Sequence, residues 1–157
     1  MEIYKTVSES KTEVTHILMP GDINGNERLF GGKLMEWIDI VAGVVGRRHA
    51  GLDVITAAVD NLQFKAGAYI NDTVVLIGRI TYVGRTSMEV RVDTYVEGLD
   101  GMRKPINRAY LVLVAIDRNG TPQRVPRLTI ENHMEEAEYL GAVKRDEYRK
   151  LRRQEGF

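Results

Sequence analysis

Between Leu34 and Gly46 only two residues, Glu36 and Asp39, carry a charge. Leu34, Ile38, Val41 and Val45 recur at i, i+4, i+7 and i+11, and Trp37, Ala42 and Val44 widen the stripe. This spacing predicts a helix from Lys33 to about His49. A helix apolar around most of its circumference has to be enclosed rather than laid on a surface. Arg47, Arg48 and His49 crowd its last turn, where the helix dipole favours cations, and Gly51 supplies a stop. Whatever else the chain does, it must wrap this helix.

The wrapping material is β-structure. Thr12 to Met19 reads as a short strand ended by Pro20, and GDINGNERLF from Gly21 reads as a loop. Val54–Phe64 alternates imperfectly, whereas Thr73–Val83 is rich in β-branched residues. In Met88–Glu97, Val90, Val92, Thr94 and Val96 share one face and Glu89, Arg91, Asp93 and Tyr95 the other. Ile106–Asp117 has a middle that reads as buried on both faces. Asn119-Gly120 is a hairpin signal leading to a short strand at Gln123–Pro126. From about Asn132 the chain becomes a charged helix with Asp146 and Lys150 at i, i+4, weakened at its centre by Gly141. The economical arrangement is α+β, with one strongly curved, mostly antiparallel sheet around the long helix. Residues 1–130 form that domain, and residues 131–157 a charged helix appended to it.

Composition removes several function classes. The chain has 157 residues, with 22 lysines and arginines against 22 aspartates and glutamates. That balance argues against a dedicated nucleic-acid binder. There is no cysteine, so disulfides, thiolate zinc sites and a cysteine nucleophile are excluded together. His16, His49 and His133 lie far apart, in no metal-ligand spacing, and His49 and His133 read as surface or capping residues. The first twenty residues mix charges throughout, and the longest apolar run, Ala109–Ile116, is far too short to span a membrane. The expectation is a cytoplasmic protein without metal.

Asp39 is the first candidate for chemistry. A carboxylate on a buried helix is costly unless paired or neutralised. Desolvation would raise its pKa toward neutrality and suit it to general-base work. A salt bridge to Lys33 or Arg47, or a side chain facing water, is the plainer alternative. Gly31 and Gly32 let the backbone approach a ligand where helix N–H groups favour negative charge, or else serve only a tight helix entry. Asn24 and Asn26 alone read as turn formers, and Trp37 as core. Lys144–Arg153 holds six basic and two acidic residues. It reads as a solvated face, with a phosphate-attracting field as the other possibility.

The stretch MPGDINGNERLFGGKLMEWIDIVAG, Met19 to Gly43, resembles the signature of hotdog-fold acyl-CoA thioesterases. It is most similar to the bacterial single-domain acyl-CoA hydrolases, relatives of the tandem-domain cytosolic enzymes. The matching elements are the Asn24/Asn26 loop, Phe30-Gly31-Gly32, and Asp39 on the apolar helix. Val83-Gly84-Arg85-Thr86-Ser87 resembles the family loop near CoA. Ala115-Ile116-Asp117, Asn119-Gly120 and Val125-Pro126 resemble its closing strand pattern. The likeness runs from about Lys11 to Leu128. It departs at Phe64-Lys65-Ala66-Gly67 and Asn71-Asp72, where the family's proline and one glycine are missing.

The resemblance implies a hotdog fold and hydrolysis of acyl-CoA to acid and CoA, with Asp39 as base or nucleophile. It implies Asn26 as the site amide, five residues before Gly31, with Asn24 the alternative. Gly31 and Gly32 would meet the thioester oxygen, and Gly84, Arg85, Thr86 and Ser87 the CoA. No cofactor is implied, CoA being part of substrate and product. The family pattern further implies a homodimer in which the asparagine loop of one copy meets the aspartate helix of the other, assembled as a trimer of dimers. No nucleic acid or membrane partner is implied. Two other readings differ in class. Asp22-Ile23-Asn24-Gly25-Asn26-Glu27 resembles the Asp-x-Asn-Pro-x-His pattern of hotdog hydratases, but Glu27 stands where the histidine would be. A non-catalytic module binding CoA esters would not require Asp39.

Overall fold

The computed structural model describes all 157 residues, the side chain of Asn61 excepted. Its elements are β1 (Tyr4–Thr6), β2 (Thr12–Ile17), a short 3-10 turn (Pro20–Asp22), α1 (Gly31–Ala50), β3 (Asp53–Phe64), β4 (Thr73–Val83), β5 (Ser87–Glu97), β6 (Arg103–Ile116), β7 (Arg127–Thr129) and α2 (His133–Glu155). Five strands form one antiparallel sheet in the order β2-β4-β5-β6-β3, and β1 pairs in parallel with β7. The α1 helix packs against all five strands of the large sheet. This is the sheet around one helix expected from the apolar pattern, and the hotdog fold that the resemblance implies.

The core follows from the two periodicities. Leu34, Ile38, Val41 and Val45 of α1 bury against Val74, Leu76 and Ile80 of β4, Met88, Val90 and Val92 of β5, and Leu111 and Leu113 of β6. Every second strand residue faces the helix. Gly78 is the point of closest approach, where an added Cβ would lie 2.7 Å from Val41 Cγ1 and 3.0 Å from Val45 Cγ2. Both are stiff β-branched side chains. Gly78→Ala therefore destabilises the fold by about 1–3 kcal/mol, despite the entropy a strand glycine normally costs. A lower urea midpoint at unchanged m-value is the expected result.

The other face of the sheet is polar and carries α2. Asn132 caps this helix, its Oδ1 accepting the Glu135 N–H at 2.9 Å. Arg145 donates to Glu89, Arg149 to both Glu89 and Asp60, and Arg152 to Asp60. Arg91 of β5 donates to Glu138. Three of the basic residues in Lys144–Arg153 thus turn inward onto sheet carboxylates, where a solvated face was expected. Gly141 sits inside the helix without interrupting it.

Four further expectations are corrected. The α1 helix starts two residues earlier than its apolar pattern, because Gly31 and Gly32 form its first turn with Phe30 as N-cap. In the chain by itself it is not enclosed all round, since Met35, Glu36, Asp39 and Ile40 lie exposed. No strand forms at Gln123–Pro126. Its backbone is held by single bonds, Gln123 N–H to Ala115 O and Val125 N–H to Arg85 O. The strand comes just after Pro126, which has no N–H to give a ladder. Finally, His49 is fully buried instead of lying at the surface, with Nε2 2.9 Å from Pro126 O. Burial lowers its pKa from the ordinary value, the Pro126 bond opposes this, and Lys5 and Arg127 lower it further. It is a buried structural residue.

Candidate active site

Asp39 sits on the uncovered side of α1, facing β3. Its Oδ1 accepts a hydrogen bond of 2.6 Å from Thr56 Oγ1. Neither expected cation reaches it, because Lys33 pairs with Glu36 at 3.6 Å and Arg47 with Asp53 at 3.2 Å. The ladder between β3 and β6 shifts register immediately after Thr56, and again between Asp60 and Gln63. Such bulges bend a strand and re-aim its side chains, and they explain the imperfect alternation of β3. Thr56 escaped the sequence reading because a lone threonine in a β-branched strand carries no signal until its partner is known.

The carboxylate borders a cleft of about 310 Å³. Gly32 and Met35 of α1, Val59 and Leu62 of β3, and Leu111 of β6 line it. The structure therefore brings together Asp39, Thr56, an apolar slot and the start of α1. The first N–H groups of a helix have no intrahelical acceptor, and no N-cap side chain meets those of α1. Gly32 is constrained by Phe30, whose ring would lie 2.9 Å from an added Cβ.

The asparagine loop stands apart from Asp39 within one chain. Gly31 precedes Asp39 by eight residues, about 12 Å of helix rise, and the loop precedes Gly31. Asn24 Oδ1 accepts from the N–H of Asn26 at 2.8 Å and of Arg28 at 3.3 Å, a local turn closure. Both asparagines are exposed.

Gly84–Ser87 forms the tight turn between β4 and β5, with Gly84 N–H bonded to Ser87 O at 2.8 Å. A Cβ at Gly84 would fall 2.7 Å from Ser87 Oγ. Arg127 donates to Gly84 O at 2.7 Å and braces the turn, leaving the Arg85 side chain exposed. Thr56, Leu113 and Met88 lie in one row across the sheet. The turn begins just beyond that row, roughly 10–15 Å from Thr56 at normal strand spacing. It belongs to the same end of the sheet as Asp39 but makes no contact with it.

Trp37 is buried as expected and is covered by His16 of β2, the rings stacked at 4.0 Å and 5°. Among the described residues no cluster of three or more histidines, aspartates and glutamates could hold a metal ion, and no helix is long and apolar enough to cross a membrane.

Comparison with known proteins places this geometry. The thioesterase superfamily profile matches residues 26–101. An uncharacterised acyl-CoA thioester hydrolase of Bacillus subtilis is 38% identical over 146 residues, which span 92% of this chain and 85% of that protein. A hexameric acyl-CoA thioesterase solved without ligand superposes with a TM-score of 0.92 at 36% identity, covering 96% of this chain and 97% of the other. A Staphylococcus aureus acyl-CoA hydrolase in complex with butyryl-CoA and CoA superposes with a TM-score of 0.92 at 34% identity, covering 98% and 94%. Structures of that enzyme with single alanine replacements of an asparagine, an aspartate and a threonine are similar as well, and the three positions are separated by 15 and then 17 residues. Given this identity over nearly the whole length and a shared fold throughout, the chain belongs to the thioesterase superfamily, alongside the bacterial acyl-CoA thioester hydrolases.

Proposed function

We propose that this protein hydrolyses acyl-CoA thioesters to a carboxylic acid and CoA, with Asp39 assisting the attack of water. The observation that carries the reading is the Thr56-held Asp39 carboxylate on the rim of an apolar cleft that also reaches the first turn of α1. In this mechanism a water oxygen attacks the thioester carbonyl carbon and Asp39 takes its proton. N–H groups at Gly31 and Gly32 stabilise the oxyanion. The C–S bond then breaks, and the CoA sulfur leaves with a proton. Thr56 fixes the carboxylate orientation. The exposed Arg85, on the Gly84–Ser87 turn, meets a CoA phosphate. No cofactor enters this sequence.

The site amide comes from Asn24 in preference to Asn26. Asn24, Asp39 and Thr56 have the same 15- and 17-residue separations as the three residues replaced in the Staphylococcus aureus enzyme. Asn24 also spends only its Oδ1 on the loop, leaving its NH₂ group to donate.

A second copy of the chain completes the site. The β3 strand is a twelve-residue edge, and long apolar edges seek a partner. Met35, Ile40, Ile55, Val59 and Phe64 are exposed on and beside it. Pairing two such edges would cover Asp39, desolvate it, and bring the partner's asparagine loop within reach. The hexameric state of similar thioesterases supports this assembly as a trimer of dimers. Its location is the cytoplasm, in keeping with the mouse cytosolic acyl coenzyme A thioester hydrolase, 29% identical over 138 residues.

Thiol release from acyl-CoAs ranging from acetyl to stearoyl tests the reading. Turnover on part of that series is the expected outcome, and the preferred chain length reports the depth of the assembled cleft. Tight binding of every ester with no thiol released would reduce the protein to a binding module.

A further inference from the structure

The polar face of the sheet is laid out as matched charges, with one exception. Arg91 pairs with Asp93 at 2.7 Å and with Glu138, Arg108 with Asp93 at 2.7 Å, and Arg145 with Glu89 at 2.8 Å. Arg149 pairs with Glu89 and Asp60, and Arg152 with Asp60 at 3.2 Å. Arg79 of β4 has no carboxylate within 4.0 Å among the described residues, and its buried Nε has no hydrogen-bond partner. It also stands directly across the ladder from Arg91. Like charges in that position destabilise a sheet, and a buried donor without an acceptor costs free energy.

Arg79 borders a cavity of about 240 Å³ between the sheet, the segment before β2 and the first turn of α2. Ser8, Lys11 and Met134 line it too, as do Arg91, Glu135 and Glu138. Of the two acids, Glu138 is paired with a cation and Glu135 is bonded only by neutral donors. Glu138 accepts from Arg91, and Glu135 accepts from the Glu131 N–H and the Asn132 side chain. Arg79 and Lys11 are the groups left to meet a ligand. The neighbouring Gly78 faces α1, so Arg79 points to the opposite side of the sheet from Asp39.

We propose that this cavity is an accessory oxyanion site, in which the Arg79 guanidinium holds one phosphate or carboxylate group and Lys11 adds a second positive charge. The planar fork of an arginine matches either group through two hydrogen bonds. The cavity falls below the roughly 300–1,000 Å³ of pockets that enclose drug-sized molecules. It therefore takes a small anion, or the charged end of a larger one, and not a whole acyl-CoA. An occupant would bond the outer N–H groups of the guanidinium and relieve the repulsion between Arg79 and Arg91.

Calorimetric titration of inorganic phosphate and of butyrate into the intact protein, at ionic strength matched with chloride, tests the site. Wild type is expected to show a binding component for at least one of them that is weakened at least tenfold in Arg79→Met and several-fold in Lys11→Gln. Phosphate alone identifies a phosphate group as the ligand chemistry, and butyrate alone a carboxylate. In anion-free buffer Arg79→Met should melt at or above wild type, because it removes an unpaired charge. The proposal is overturned if neither anion binds, or if binding is equal in wild type and Arg79→Met. A loss of stability in anion-free Arg79→Met overturns it as well, since Arg79 would then already be held by a protein carboxylate, for example from a neighbouring copy.

Discussion

Asp39→Ala is expected to leave a folded protein that releases thiol from acyl-CoA about 10²–10⁴-fold more slowly, the usual contribution of a positioned general base. Asp39 is exposed in the chain, and its one hydrogen bond is to Thr56. Removing it therefore costs little stability. The loss should fall on kcat with KM nearly unchanged, because the carboxylate acts on water and not on the CoA. Thr56→Ala should give a smaller fall and Thr56→Ser should recover most of it, since a hydroxyl at that place is what holds Asp39. Activity undiminished in Asp39→Ala, with the assembly intact, would move the chemistry to another residue.

Glu89→Leu should lower stability by about 3–5 kcal/mol, the effect of stripping one partner from buried ion pairs. Glu89 is 2% exposed and accepts from Arg145, Arg149 and Thr81. Its loss strands Arg149, itself 8% exposed, with only Asp60 as partner. Arg145 keeps its stacking over Tyr110, at 3.7 Å, but loses its counter-charge. The damage should begin in α2, visible as faster amide exchange across residues 133–155 than in the α1 core.

The same carboxylate ties α2 to pH. Burial alone would raise the Glu89 pKa, but hydrogen bonds from Arg145, Thr81 and Arg149 outweigh it and hold the group below its ordinary value of 4.5. The unfolded chain therefore binds its proton first as pH falls. The contribution is complete above about pH 4.5 and is lost as pH drops through the lower folded-state value. Wild-type α2 should loosen in that acid range. A Glu89→Gln variant should begin less stable at neutral pH and decline less steeply, which exchange rates measured against pH would show.

Much of this protein is legible from local pattern. The repeat of Leu34, Ile38, Val41 and Val45 specifies α1, the alternation from Met88 to Glu97 specifies β5 and both its faces, and the run Thr73–Val83 matches β4 residue for residue. These are properties of one segment against water, so a single chain read in order contains them. The loop, glycine pair and acid on α1 are contiguous as well, which is why their resemblance to one family signature could single them out as a candidate site.

What remained hidden depends on groups distant in sequence. Whether Asp39 is buried depends on what lies across from it, and the five strands of one chain leave that side open. Thr56 becomes a partner of Asp39 only when β3 is laid beside α1. The arginines of α2 look like a solvated face until Glu89 and Asp60 are placed beneath them. The three-residue pairing of β1 with β7 is too short for any periodicity, and it joins the two ends of the domain. Sequence alone determined the two helices and the long strands of the large sheet, because their patterns follow from side-chain order along one segment. Tertiary structure decided which charges are paired, which apolar face is left for a second copy, and which arginine has no acid, because each of these depends on a surface supplied by another part of the chain.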